Sequence, residues 1–338
     1  MNIVTPGSGR YNHQFMPETV SLASSVAIIV PAYNCARYLP AALESVLSQT
    51  YRDWSCFVID DGSADETQAV VAPYVERGVV YLRQHQAGAA AARNHGIRAS
   101  SSAYLAFLDA DDVWFPTKLE QQIKLLESRP EVGLVCSDFS ISGGPTPTSS
   151  YFERIGTPVG GHVFGRLLRN CPVCTSTVVI RRQCLADVGV FYEPLTVAED
   201  YNLFLRIASR WDVAFLPEVL VAKQVRNENL SSTTSIDQKL TNGIAALEHV
   251  MSSCPAISQL ERSQTERALA DRYYDYGSYL LLGGARSSAR NEFAAALRLR
   301  PTHWRAGTKF AGSFLPTNSF RYMLRLLRRP TSATHRPK

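Results

Sequence analysis

No stretch of the 338 residues stays apolar for the roughly 18 to 20 positions that cross a bilayer, so peripheral contact is the only membrane association expected. The first 24 residues lack the basic start and apolar run of a secretory signal. With Pro6, Gly7, Gly9 and Pro17 they are expected to form a flexible leader. Cysteine is sparse and odd in number, seven across the chain, which excludes a disulfide framework and makes a reducing, cytoplasmic setting the expectation. A second C-x-x-C is missing, so Cys171-Pro-Val-Cys174, even with Cys136, Cys184 or His162 nearby in reach, is read as ordinary thiols and not as a zinc site. Acid is lacking in the last fifty or so residues: from Arg286 onward twelve Lys or Arg stand against Glu292 alone. The net charge of +5 is therefore carried by the C-terminal end.

What is present begins with an acidic cluster. Residues 107–114 read Phe-Leu-Asp-Ala-Asp-Asp-Val-Trp, an apolar lead that delivers Asp109, Asp111 and Asp112 within four positions. Carboxylates this close repel one another and call for a counter-charge, and a hard divalent cation with oxygen ligands is the natural one. The cluster also sits at the carboxyl end of a strand-like run, where open α/β sheets bind their ligands.

Upstream, residues 25–30, 54–59 and 79–82 are short apolar runs of the kind buried on both faces of a parallel sheet. Between them lie helical patterns at 36–48, with Leu39, Leu43, Val46 and Leu47 in phase, and at 63–74, opened by Ser63-x-x-Glu66 in the form of a capping box. A helix of small residues follows at 88–97. Strands alternating with helices at this pitch predict right-handed crossovers. Further strands are expected at 132–139, 175–180, 213–215 and 219–225, helices at 118–128, 181–188 and 201–209, and a loop at 143–150. Beyond about Asp237 the pattern turns all-helical. Residues 276–304 resemble a single tetratricopeptide-like unit, with Tyr273, Tyr274, Tyr276, Tyr279 and Leu280 facing Phe293, Ala296 and Leu297. Phe320, Met323, Leu324 and Leu327 then share one side of an arginine-rich segment, the pattern of an interfacial helix.

Five stretches taken in order resemble the inverting, nucleotide-sugar-dependent glycosyltransferases of family 2. They are Val30-Pro31-Ala32-Tyr33-Asn34, residues 58–65 around Asp60-Asp61-Gly62-Ser63, Gly88 with Arg93-Asn94-His95-Gly96, Asp109-Ala110-Asp111-Asp112, and Glu199-Asp200-Tyr201-Asn202. The resemblance covers roughly residues 25–225. It implies an α/β GT-A (Rossmann-like) fold: a mixed, mostly parallel sheet flanked by helices, here followed by a C-terminal all-helical appendage. The domains expected are the leader 1–24, a GT-A domain 25–232 (nucleotide-binding half 25–113, acceptor half 114–232), the appendage 237–312 and a basic amphipathic tail 313–338.

By the same resemblance Pro31, Ala32 and Tyr33 would line the nucleotide, Asp60 would accept from the base with Asp61 beside it, and Arg93 would lie by the donor. Asp109 and Ala110 would contact the donor, Asp109 and Asp111 would hold Mn2+ or Mg2+, and Asp112 would support them. Asp200 would be the catalytic base, with Glu199 the alternative. Partners implied are a nucleoside diphosphate sugar, a UDP-sugar foremost, and a glycan or lipid-linked acceptor, with peripheral contact to an anionic inner membrane face and no nucleic acid. Two departures stand out: Asn202 replaces a common Asp, and Gln86 a common Asn. Ile207 precedes Arg210-Trp211 where processive members carry Gln, so one sugar per encounter is expected.

Two rivals follow from the residues themselves. A nucleotidyltransferase would want a Gly-rich basic phosphate loop after the first strand, which residues 31–34 do not supply. A non-catalytic scaffold binding anionic surfaces through the helical and basic C-terminal region would have no need of Asp111 or Asp200.

Overall fold

The computed structural model describes residues 25–142, 150–224, 233–254 and 257–315. The leader, most of the 143–150 loop, residues 225–232, and the amphipathic segment at 320–329 lie outside the described residues.

Eight strands form one sheet: β1 (Val26–Ala32), β2 (Trp54–Asp60), β3 (Val79–Arg83), β4 (Tyr104–Phe107), β5 (Val113–Trp114), β6 (Val132–Ser142), β7 (Val178–Arg181) and β8 (Asp212–Gln224). Their order is β3-β2-β1-β4-β7-β6-β8-β5. The first four strands run parallel, joined through helices α1 (Leu39–Leu47), α2 (Thr67–Val75) and α3 (Ala89–Ala99). β7 pairs antiparallel with β4 and with β6, β6 runs parallel to β8, and β5 is antiparallel to β8, so the sheet is mixed. Helices α4 (Lys118–Ser128), α5 (Tyr151–Ile155), α6 (Phe164–Arg169), α7 (Gln183–Val188) and α8 (Glu199–Ala208) complete this part of the chain.

β1 shows why the fold forms here. Val26, Ala27, Ile28, Ile29 and Val30 are wholly buried, as a strand covered on both faces requires. The chain builds outward from β1 to β2 and β3, then returns to place β4 on its other side. That reversal opens a crevice at the carboxyl ends of β1 and β4, the position where sheets of this kind receive ligands. α3 lies close over β1 at Gly96, where an added Cβ would come within 2.6 Å of the Ile29 side chain.

Three expectations change, the first being that the strand expected at 175–180 begins only at Val178, after a 3₁₀ turn at Thr175–Thr177. The segments at 213–215 and 219–225 form the single strand β8, because β6 shifts register beside Pro217, pairing Ser137 with Leu216 and then Asp138 with Val219. The capping box at Ser63 does not form. Ser63 Oγ accepts from the Asn34 N–H at 2.9 Å instead, and Asp65 accepts from the Thr67 N–H at 3.1 Å where α2 begins.

By compactness the described residues divide into two units, with the boundary after 232 and with residues 164–171 grouped in the second. The expected domains had placed 164–171 in the first. The second unit therefore contains α6 together with α9 (Ile236–Ser253), α10 (Gln259–Leu282), α11 (Arg286–Leu299) and α12 (Trp304–Gly312). Capping boxes start α9 at Ser235 and α10 at Ser258. Its core is Ala270, Ala289, Phe293, Ala296 and Ala306, with Tyr273, Tyr274, Leu280 and Leu297 packed against them. Tyr276 and Tyr279 stack on each other outside that cluster, with ring centroids 6.4 Å apart. Among the described residues no helix is long and apolar enough to cross a membrane.

Candidate active site

The turn after β1 and the turn after β2 lock together. The Asp61 N–H donates to the Ala32 carbonyl at 2.8 Å, and Asn34 Oδ1 accepts from the Ala64 N–H at 2.8 Å. Asn34 takes a left-handed conformation, φ 48°, to make this exchange, a geometry Asn tolerates. Tyr33 is left 47% exposed at the strand end, with Pro31 and Ala32 behind it.

Asp60, expected to accept from a base, is fully buried here. One oxygen accepts from the Ser63 N–H at 2.8 Å, and the other from the Tyr81 hydroxyl at 2.5 Å with Arg83 at 3.6 Å. Burial, with Asp60 beside it, pushes the Tyr81 phenol upward. Asp61 accepts from Gln84 Nε2 at 2.7 Å, the Ala87 N–H at 2.8 Å and the Gly88 N–H at 2.8 Å. Asp60 thus ties the turn after β2 to β3, and Asp61 brings the start of α3 to the crevice.

Arg93, on α3, joins the remaining motifs. One amino group donates to Asp109 Oδ1 at 2.8 Å and the other to Glu199 Oε1 at 2.6 Å. Its Nε is buried with no hydrogen-bond partner, and its guanidinium lies over the Phe191 ring at 5.5 Å. Burial works against the Arg93 charge, but Asp109, Glu199 and Asp200 outweigh it and raise the group further. For Asp109, burial favours the neutral acid, while Arg93 and Lys223 more than reverse this and hold it below its ordinary value. Glu199 is pushed up by burial and by the charge of Asp200, against the pull of Arg93.

Asp200 is partly exposed. Its carboxylate accepts from the Thr175 hydroxyl at 2.8 Å and from the Tyr201 N–H at 2.7 Å. The preceding Ala198 adopts φ 64°, an uncommon geometry for a residue with a Cβ, and it sets the angle at which α8 presents Glu199 and Asp200. Asn202, where an acid is common, accepts from buried Arg206, whose other nitrogens hold the carbonyls of Val188 and Val190. That position is structural in this chain.

The acidic turn is fixed by Ser176, in the short 3₁₀ turn Thr175–Thr177. The Ser176 hydroxyl donates to Asp112 at 2.6 Å and accepts from the Asp109 N–H at 3.1 Å. The Trp114 indole donates to the Ser176 carbonyl at 2.8 Å. Asp112 is almost wholly buried, and burial pushes its carboxyl up to about 7, Lys223 opposing and Asp109 and Asp111 adding. Asp111 remains partly exposed between them.

The structure therefore brings Arg93, Asp109, Glu199 and Asp200 together, with Asp111 and Asp112 on the same turn. Sequence reasoning missed Thr175, Ser176 and Lys223. The first two looked like strand residues. Lys223 sits one step past a strand pairing that spans more than a hundred residues, and no local pattern announces it.

Among the described residues, no three His, Cys, Asp or Glu side chains converge as a ready-made metal-ligand set. Asp111 nonetheless fits a divalent cation that takes one or two carboxylates from the protein and its remaining ligands from substrate phosphates and water. It is partly exposed and offers only oxygen ligands.

Comparison with known proteins gives a consistent picture. Residues 27–187 match Glycosyl transferase family 2. An Escherichia coli protein, UDP-Glc:alpha-D-GlcNAc-diphosphoundecaprenol beta-1,3-glucosyltransferase, is 33% identical over 185 residues, 54% of this chain and 69% of that protein. An uncharacterized glycosyltransferase of Rickettsia bellii is 30% identical over 216 residues, 63% of this chain but 31% of its own length. The chain thus spans about a third of that relative. In fold, S. aureus TarS in complex with UDP-GlcNAc superposes with a TM-score of 0.65 at 16% identity, covering 88% of this chain and 92% of that one. The Pyrobaculum calidifontis mannosyltransferase in complex with GDP-Man and Mn2+ gives a TM-score of 0.54 at 18% identity, covering 90% of each chain. The crevice, the order of its five motifs and these relatives agree, and the chain belongs to glycosyl transferase family 2.

Proposed function

We propose that this protein transfers one sugar per encounter, with inversion, from a nucleoside diphosphate sugar to a glycan or lipid-linked acceptor in the synthesis of a surface polysaccharide. The observation that carries this reading is the ion-paired bridge Asp109–Arg93–Glu199, which sets the donor-side acids against the start of α8 and its Asp200. The E. coli relative, named for UDP-Glc and a diphosphoundecaprenol-linked acceptor, supports a UDP-sugar and a lipid-linked acceptor as the first pair to test.

In this reading the nucleotide lies against Pro31, Ala32 and Tyr33 and the loops held by Asp60 and Asp61. Asp109, Ala110 and Arg93 bound the sugar and diphosphate. Mn2+ or Mg2+ held by Asp111, with Asp109, would offset the charge that develops on the departing diphosphate. Asp200, oriented by Thr175, takes the proton of the acceptor hydroxyl as that oxygen bonds to the anomeric carbon. The anomeric carbon–oxygen bond to the diphosphate breaks on the opposite face, and its electron pair leaves with the nucleoside diphosphate. Glu199, buried and ion-paired to Arg93, is the less accessible acid of the pair. The arginine-rich sequence 313–338 we assign to an anionic membrane face, where lipid-linked acceptors lie.

The test is a panel of nucleoside diphosphate sugars, with and without Mn2+, on the intact protein and on Asp111→Ala. Metal-dependent binding and slow hydrolysis of one donor, lost in the variant, is the expected result. A protein that binds none of them, with or without metal, would refute the reading.

A further inference from the structure

Arg93 divides its charge between Asp109 and Glu199, and a second cation reaches the acidic turn from β8, the strand paired with β5. β5 and β8 pair antiparallel with Val113 opposite Ala222 and Trp114 opposite Val221. One step beyond this ladder Lys223 faces Asp112, and the Gln224 N–H closes on Asp112 Oδ1 at 3.1 Å. Lys223 Nζ stands 3.8 Å from Asp112 Oδ2 and 3.2 Å from Cys174 Sγ. The Cys174 sulfur, then Asp112 and Asp109, raise Lys223 well above its ordinary value. Burial pushes the Cys174 thiol itself up to about 11, so at neutral pH the lysine meets it as an uncharged sulfur.

We propose that Lys223 is a positioning residue of the donor site: its ammonium, set against Asp112, lowers the negative field of the acidic turn enough for a diphosphate to approach it. The inference rests on the donor reading above. It makes a demand that a purely structural lysine does not. Removing the charge leaves the turn more negative, so a bare divalent cation is attracted more strongly while a diphosphate is repelled more strongly. The two affinities move in opposite directions. A lysine that merely braces the turn would, when removed, weaken both.

The experiment uses the full chain, Lys223→Met and Lys223→Arg. Mn2+ alone is titrated by electron paramagnetic resonance of the free ion, and UDP and GDP are titrated by calorimetry without metal, both at low ionic strength. Lys223→Met is expected to bind Mn2+ about three- to tenfold tighter and the preferred nucleotide about tenfold more weakly, from the loss of one charge within a Debye length. Lys223→Arg restores both values, and raising the salt shrinks both effects. Should the Met variant fail to fold, Lys223→Gln removes the same charge with a polar side chain. Parallel weakening of Mn2+ and nucleotide, or no change in either, overturns the role given to Lys223 while leaving the donor reading intact. An intact protein that binds Mn2+ but neither nucleotide overturns both.

Discussion

Glu199 and Asp200 are adjacent in sequence, yet their neighbours give them different work. Glu199 is buried on Arg93, whereas Asp200 is partly exposed and steadied by a neutral hydroxyl. Asp200→Asn keeps an acceptor for Thr175 and removes the carboxylate proposed to take the proton of the acceptor hydroxyl. It is expected to lower kcat by about two to four orders of magnitude while leaving donor affinity near that of the intact protein, measured by single-turnover transfer and calorimetry. Lys118 is a second residue whose surroundings set its behaviour. It is wholly buried, bonded to Gln122 at 2.6 Å and placed 4.1 Å from the Trp114 ring centre, with burial pushing its ammonium down from 10.5 to about 7. The unfolded chain therefore binds more protons than the folded one between those values. Stability should rise with pH across that window and be lowest below it. Lys118→Met is expected to flatten this slope in urea titrations from pH 7 to 10; a slope unchanged by the substitution would argue against the buried amine as its source.

At the scale of elements, α3 carries both Arg93 and the close approach at Gly96. Gly96→Ala gains helix propensity, up to about 1 kcal/mol, but drives a methyl into Ile29 at a distance no real contact holds, and overpacking costs about 1–3 kcal/mol. The packing loss wins. A net destabilisation of about 1–2 kcal/mol by denaturant titration is expected, together with weaker donor binding as α3 shifts Arg93. The elements also show what could be read in advance. β1, β2, β4 and the start of α8 were legible because apolar runs and strand-end acids are local signals, and with the turns that follow the strands they carry the residues proposed for donor and base, Arg93 of α3 excepted. The 3₁₀ turn holding Ser176, the joining of two short strands into β8, and the place of Lys223 were not legible. Each depends on register between segments far apart, and Pro217 reads as a break although the partner strand accommodates it. Ser63 misled for a related reason: its hydroxyl had a stronger claim from the turn after β1 than from its own helix.

For the whole molecule, the membrane face proposed for the arginine-rich sequence 313–338 makes a direct prediction. Protein ending at residue 312 should float with vesicles rich in anionic lipid much less than the full chain, and high salt should abolish the difference. Equal flotation of both would remove the tail from the membrane proposal. The grouping of α6 with the later helices bears on a different matter, the making of the protein. Phe164, Leu167 and Leu168 are buried within a unit whose long helix α10 starts about ninety residues further on. During synthesis, at about 5–20 residues per second, that apolar turn leaves the ribosome roughly 5–20 s before its partner exists. Chaperone capture of the nascent chain should therefore centre on residues 164–168, and slowing translation between there and α10 should lengthen the exposure.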